Sequence, residues 1–137
     1  MFTCRLLALL VLAMAPSCRG CTRVYPVQDP SVAPGDYYWR RAGNIDRSNR
    51  LTINADGGFC HEYSFDGGML TECGDWSFRV EHQVGLVGLS DFRPDEHDDI
   101  LNQAFDLERG GSIKRLAINT DTGLYFVHIE EDGGLAR

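Results

Sequence analysis

Lysine is nearly missing from this sequence: twelve of its thirteen basic residues are arginine, and Lys114 is the exception. That skew reads as genomic base composition rather than chemistry. Basic charge is short as well, with 13 Lys and Arg against 20 Asp and Glu and a formal net charge of -7. Nucleic acid is therefore not an expected partner, because neutralising phosphates requires a basic face. The longest unbroken apolar run, Leu6 to Ala15, is ten residues, half of the roughly 20 that a transmembrane helix needs. Motifs of nucleophilic, metalloprotease or phosphate-cradling enzymes are missing too, including G-x-S-x-G, S-x-x-K, H-E-x-x-H and G-x-x-x-x-G-K. No enzyme activity and no cofactor are expected. What remains is an ordinary globular composition, 43% hydrophobic and 24% charged over 137 residues, enough for one domain and too apolar for general disorder.

The N-terminus has the build of an export signal. One charge, Arg5, precedes the apolar run, which falls within the 7–15 residues of a secretory h-region. Ala13-Met14-Ala15 offers an ordinary cleavage site, but Pro16 follows it. Ala15-Pro16-Ser17-Cys18 resembles the signal of bacterial lipoproteins, in which small residues precede a cysteine that is lipidated and becomes the new N-terminus. Pro16 and the residue three before Cys18 depart from the usual pattern, and Cys21 is the alternative acceptor. The resemblance implies a signal over residues 1–17 and an acylated, palmitate-bearing N-terminus in the bacterial cell envelope. It implies an orientation toward the periplasm, with a soluble secreted protein as the alternative. Arg19 stands where an inner-membrane lipoprotein often has Asp, which favours the outer membrane. Residues 18–137 then carry -8 over 120 residues. Residues 18–34 hold Pro26, Pro30 and Pro34 and read as an extended tether, leaving 35–137 as a single β domain.

From Asp36 onward the pattern has period two, punctuated by glycine turns. Leu51, Ile53 and Ala55 alternate with polar residues before Asp56-Gly57-Gly58. Phe59, His61, Tyr63 and Phe65 alternate before Asp66-Gly67-Gly68, and Trp76, Phe78 and Val80 follow. Asp-Gly between alternating apolar residues is a strong hairpin cue, because a type I′ turn needs positive φ at both central positions. Adding Tyr37–Arg41, Val84–Leu89, Ala104–Arg109, Ile113–Asn119 and Leu124–Glu130 gives about eight strands. At most one short helix, near 94–103, is expected, from Pro94 and the acids that follow it. The fold class is all-β and mainly antiparallel, a meander closed as a small barrel or packed as a sandwich. Gly35-Asp36-Tyr37-Tyr38-Trp39, the Asp-Gly hairpins and Gly74-Asp75-Trp76 resemble small lipocalin-like barrels of bacterial envelopes.

Turn geometry predicts one disulfide. With Asp66 and Gly67 as central turn residues, Phe65 faces Gly68, and counting outward brings Cys60 opposite Cys73. The pair falls on a non-hydrogen-bonded position, where Cα atoms approach to about 4.5 Å, within reach of a disulfide. In an oxidising compartment the bond forms and stabilises by roughly 3 kcal/mol. Cys4 then leaves with the signal, Cys18 takes lipid and Cys21 is spare.

The same register sets His61 opposite Glu72 on the face that carries Phe59, Tyr63, Leu70 and Trp76. Such a pair is either an acid–base or contact site or a buried structural pair. His61, Glu72, Trp39 and Trp76 are the candidate contact residues for a ligand or partner. Asp95, His97 and Asp99 lie in the densest acidic cluster and are weak metal candidates. The EF-hand spacing is lacking, so no metal is expected.

Location, size and charge lead to a non-enzymatic envelope lipoprotein that binds another protein. An inhibitor of a cell-wall hydrolase or a toxin-immunity protein, with a basic partner, fits this scale. The alternatives are a lipocalin-like barrel for a small ligand, using aromatics such as Tyr37, Trp39, Trp76 and Phe78, and a structural outer-membrane assembly factor.

Overall fold

The computed structural model describes residues 23–119 and 123–129 of the chain. The expected signal segment with Cys18 and Cys21, residues 120–122 and the acidic residues from Glu130 onward lie outside the described residues.

Nine strands form one antiparallel sheet: β1 (Tyr25–Pro26), β2 (Gly35–Arg41), β3 (Asn44–Ile53), β4 (Gly58–Phe65), β5 (Gly68–Glu81), β6 (Val84–Phe92), β7 (Leu101–Gly110), β8 (Ile113–Asn119) and β9 (Leu124–Ile129). From β2 to β9 each strand pairs with the next, and β9 pairs back onto β2 through Tyr38–Val127, Trp39–Phe126 and Arg40–Tyr125. That last pairing closes an eight-stranded up-and-down barrel and excludes the sandwich. Closure removes the open edges that an unpaired first and last strand would present.

Period two in the sequence becomes inside and outside in the barrel. Tyr37, Leu51, Ile53, Phe59, Val87, Leu89, Phe105, Leu107, Leu116 and Phe126 point inward and form one buried cluster with Trp39 and Phe92. Phe92, Phe105 and Phe126 meet edge to face, with centroids 5.5 to 6.0 Å apart. An eight-stranded interior is just wide enough to be filled by side chains or to hold one small ligand. Here aromatic rings fill it.

Two stretches differ from expectation. No α-helix forms over 94–103; Leu101–Gln103 begin β7, and the residues before them make a turn with the Asp98 amide on the Asp95 carbonyl. The Asp95 carboxylate accepts from the His97 amide at 2.8 Å, so the acid caps a turn instead of a helix start. Ile100 and Leu101 are exposed. A short helix there would bury little, whereas Leu101 and Gln103 pair with Phe92 and Leu89 of β6 and open a strand that pairs with β8 from Asp106 onward.

The proline-rich segment, expected as a tether, is instead docked on the barrel from Tyr25 onward. β1 pairs with the end of β7, the Val27 amide donates to the Leu107 carbonyl at 2.9 Å, and the Val27 carbonyl accepts from the Gly85 amide. Ala33 is buried, and its carbonyl accepts from the Tyr37 hydroxyl at 2.6 Å. Glycine is required at two of these contacts. A Cβ on Gly85 would collide with the Val27 carbonyl oxygen, and one on Gly110 with that of Arg23.

Candidate functional site

The β4–β5 hairpin carries the register that its turn dictates: Phe65 faces Gly68, Asp66 and Gly67 both have positive φ, and His61 faces Glu72. Cys60 and Cys73 are bonded, with Cα atoms 4.1 Å apart.

His61 points into the barrel and is fully buried. Its Nε2 lies 2.7 Å from Asn49 Oδ1, and Asn49 Nδ2 donates to the Pro94 carbonyl at 2.7 Å. The chain of bonds assigns the tautomer. A carbonyl only accepts, so the Asn49 amide must turn its NH2 to Pro94 and its oxygen to His61. His61 Nε2 must then carry the proton, and Nδ1 is left without a hydrogen-bond partner among the described residues. The ring stacks on Tyr63 at 4.5 Å and lies 4.7 Å from Phe92. Burial in this apolar shell lowers the imidazole pKa to about 3, against the opposing pull of Asp95. The imidazole is therefore neutral at physiological pH. Its partner is Asn49, a residue for which the sequence carried no spacing signal.

Glu72 is half-buried and lies beside the Tyr63 hydroxyl, where burial, then this carboxylate, raise the phenol pKa. Trp39 is buried against Phe126 at 4.8 Å. Trp76 is half-buried, and its Nε1 donates to the Asn54 carbonyl at 2.8 Å, clamping the β3–β4 turn. Thus Trp39 and His61 enter the core, Trp76 pins a turn, and Glu72 lines the wall. Tyr37, also expected as a ligand aromatic, ties the N-terminal segment down.

The acidic connection between β6 and β7 folds over one end of the barrel. Pro94 is buried there and held by Asn49. Arg41 from the β2–β3 hairpin approaches Asp95 at 3.3 Å and Asp98 at 3.7 Å. Burial, then a hydrogen bond and the charge of Asp95, raise the pKa of Asp98. Among the described residues no three His, Cys, Asp or Glu side chains come together as a ligand set. Asp95 is committed to Arg41 and to its own turn, and His97 lies 3.5 Å from Glu96.

Two surface recesses flank the barrel ends. One, about 450 Å³, lies beside this connection and is lined by Trp39, Arg41, Ile45, Asp95 and His97 among others. The second, about 300 Å³, lies at the opposite end between Ser31, Val32, Pro34, Arg109 and Lys114. Lys114 Nζ donates to the Pro34 carbonyl at 2.7 Å and stands 5.3 Å from the Tyr37 ring.

By fold the protein is a closed up-and-down antiparallel barrel with a packed interior. Compared with protein families, curated proteins and solved structures, the chain finds no match in any of the three.

Proposed function

We propose that the protein is a non-enzymatic, lipid-anchored envelope protein whose barrel binds another protein through its outer surface. A hydrolase inhibitor or a toxin-immunity protein is the form this takes. One observation carries the reading: the space in which a barrel of this size would hold a small ligand is occupied by Tyr37, His61, Phe92, Phe105 and Phe126, all fully buried. Binding is then left to the outside, and an acidic surface steers a basic partner. The anchor rests on the lipoprotein-like signal, with Cys18 as acceptor and Cys21 as alternative.

The protein should remain with the membrane fraction when expressed as the full chain and move to the soluble fraction on Cys18→Ala. Release by Cys21→Ala instead would reassign the acceptor, and release by neither would refute the anchor. Native mass spectrometry of the extracted protein should give the mass of the chain and its acyl groups alone. A stoichiometric small molecule that survives delipidation would support the ligand-binding alternative.

A further inference from the structure

The up-and-down topology sorts the surface into two poles. One pole gathers the β3–β4, β5–β6 and β7–β8 turns and the segment from Arg23 to Pro34, so the chain enters the barrel there. The β2–β3 and β4–β5 hairpins and the 93–100 connection form the other pole. A nine-residue strand tilted as in a closed barrel separates the two by roughly 20 Å.

Apolar exposure is lopsided between them. Of the seven large hydrophobic residues exposed among the described residues, Ile45, Phe65, Met69, Ile100 and Leu101 belong to the second pole. Tyr25 and Val80 belong to the first. Met69 is 61% exposed, Leu101 59% and Ile100 48%.

Three of these side chains adjoin the 93–100 connection. Arg93 lies over the Phe65 ring at 4.7 Å, Leu101 pairs with Phe92 beside Arg93, and Ile45 shares the recess with Asp95. Isolated exposed apolar residues are ordinary, but a grouped set ringed by charge marks an interaction surface. One side of this pole is acidic: the stretch from Asp91 to Leu101 holds Asp91, Asp95, Glu96, Asp98 and Asp99 against the single Arg93, while the β2–β3 hairpin brings Arg40, Arg41 and Arg47 against Asp46. Arg41 answers part of that charge, yet the Asp98 carboxyl still sits above its ordinary range, through burial and the neighbouring Asp95. Added cations at this pole would relieve the crowding.

Resting on the reading of the barrel as a protein-binding module, we propose that this second pole, facing away from the chain's N-terminal side, is the docking face. Its occupant is a net-basic protein that sets its Lys and Arg against the 93–100 acids and an apolar patch against Met69 and Leu101. Apolar anchors inside a charged rim give affinity from the centre and rate and orientation from the edge.

Site-specific photocrosslinking in the producing cell tests this with the full chain. p-Benzoylphenylalanine replaces Met69 or Leu101 and, in separate strains, Tyr25 or Val80 at the opposite pole. The expected result is a covalent adduct with one protein of basic isoelectric point, at least fivefold stronger from 69 and 101 than from 25 and 80. The adduct should fall at least fivefold when Glu96→Gln, Asp98→Asn and Asp99→Asn are combined, with the amount of protein unchanged. Adducts from 25 and 80 alone would overturn the assigned pole while leaving the protein-binding reading intact. An adduct of the chain with itself, or with an acidic protein indifferent to the three neutralising changes, would overturn the assigned occupant. No adduct from any position would overturn the docking face together with the reading on which it rests.

Discussion

Lowering the pH from 8 to 5 should destabilise the folded barrel by about 2 kcal/mol through His61 alone. Burial holds its imidazole down to about 3, whereas in the unfolded chain it titrates at its ordinary 6.5. Between those values the unfolded chain binds a proton that the folded one refuses. Stability is therefore fully present above about pH 7 and is lost as the pH falls through the window, reaching roughly 4–5 kcal/mol near pH 3. Asn49, Tyr63, Phe92 and Phe126 face the ring and carry no charge in this range. Asp95 pulls the other way and is outweighed. His61→Phe keeps an aromatic ring in the stack but strips Asn49 Oδ1 of its donor, costing about 1–3 kcal/mol at every pH. The slope against pH is thus the informative quantity, not the absolute stability. Urea unfolding followed by tryptophan fluorescence at pH 8, 7, 6 and 5 measures it, since Trp39 and Trp76 both lie within the packed structure. The parent should lose about 2 kcal/mol across the series relative to the His61→Phe variant, because every other titrating group is common to both. Parallel curves would refute the burial argument, as would a His61 NMR resonance that titrates near 6.5.

Replacing both Cys60 and Cys73 by Ser should lower unfolding stability by about 3 kcal/mol, seen as a drop in the urea midpoint. An unchanged midpoint under non-reducing conditions would mean the bond contributes nothing. Gly85→Ala should force the N-terminal segment off the barrel, because the added methyl meets the Val27 carbonyl. Limited proteolysis would then cut within residues 23–34 well before the barrel, and equal protection of that segment in parent and variant would argue against docking. Phe126→Ala empties a site ringed by Trp39, His61, Phe92 and Phe105, and about 3–5 kcal/mol of destabilisation is expected in the same urea assay.

What could be seen in advance was local. The β4–β5 hairpin follows from Asp66-Gly67 and the alternation on either side of it, so Cys60–Cys73 and His61–Glu72 are counting problems solved within fourteen residues. The acidic stretch after Pro94 shows why such reasoning stops. Proline and acids describe a helix start and a capped turn equally well, and the choice falls to the partners on offer. Arg41 and Asn49 lie far back in the chain and hold Asp95 and Pro94 in the turn, while β6 and β8 recruit Leu101 onward into a strand. Asn49 escaped notice for the same reason. Nothing in its neighbourhood marks it until the barrel brings Pro94 and His61 to either side of its amide.

By itself, then, the sequence determined an all-β, disulfide-linked hairpin domain of acidic charge, because turn chemistry and period-two alternation are properties of neighbouring residues. Tertiary structure decided closure, through three pairs between β2 and β9 about ninety residues apart. Closure in turn decided that the candidate aromatics Tyr37 and Trp39 fill a core, since a curved sheet with a small radius leaves its inward side chains nowhere else to go. It also decided that five of the seven large apolar residues exposed among the described residues, scattered from Ile45 to Leu101 along the chain, lie at one pole. Alternation says which side chains share a face, and only the joined ring says which ends of the strands share a pole.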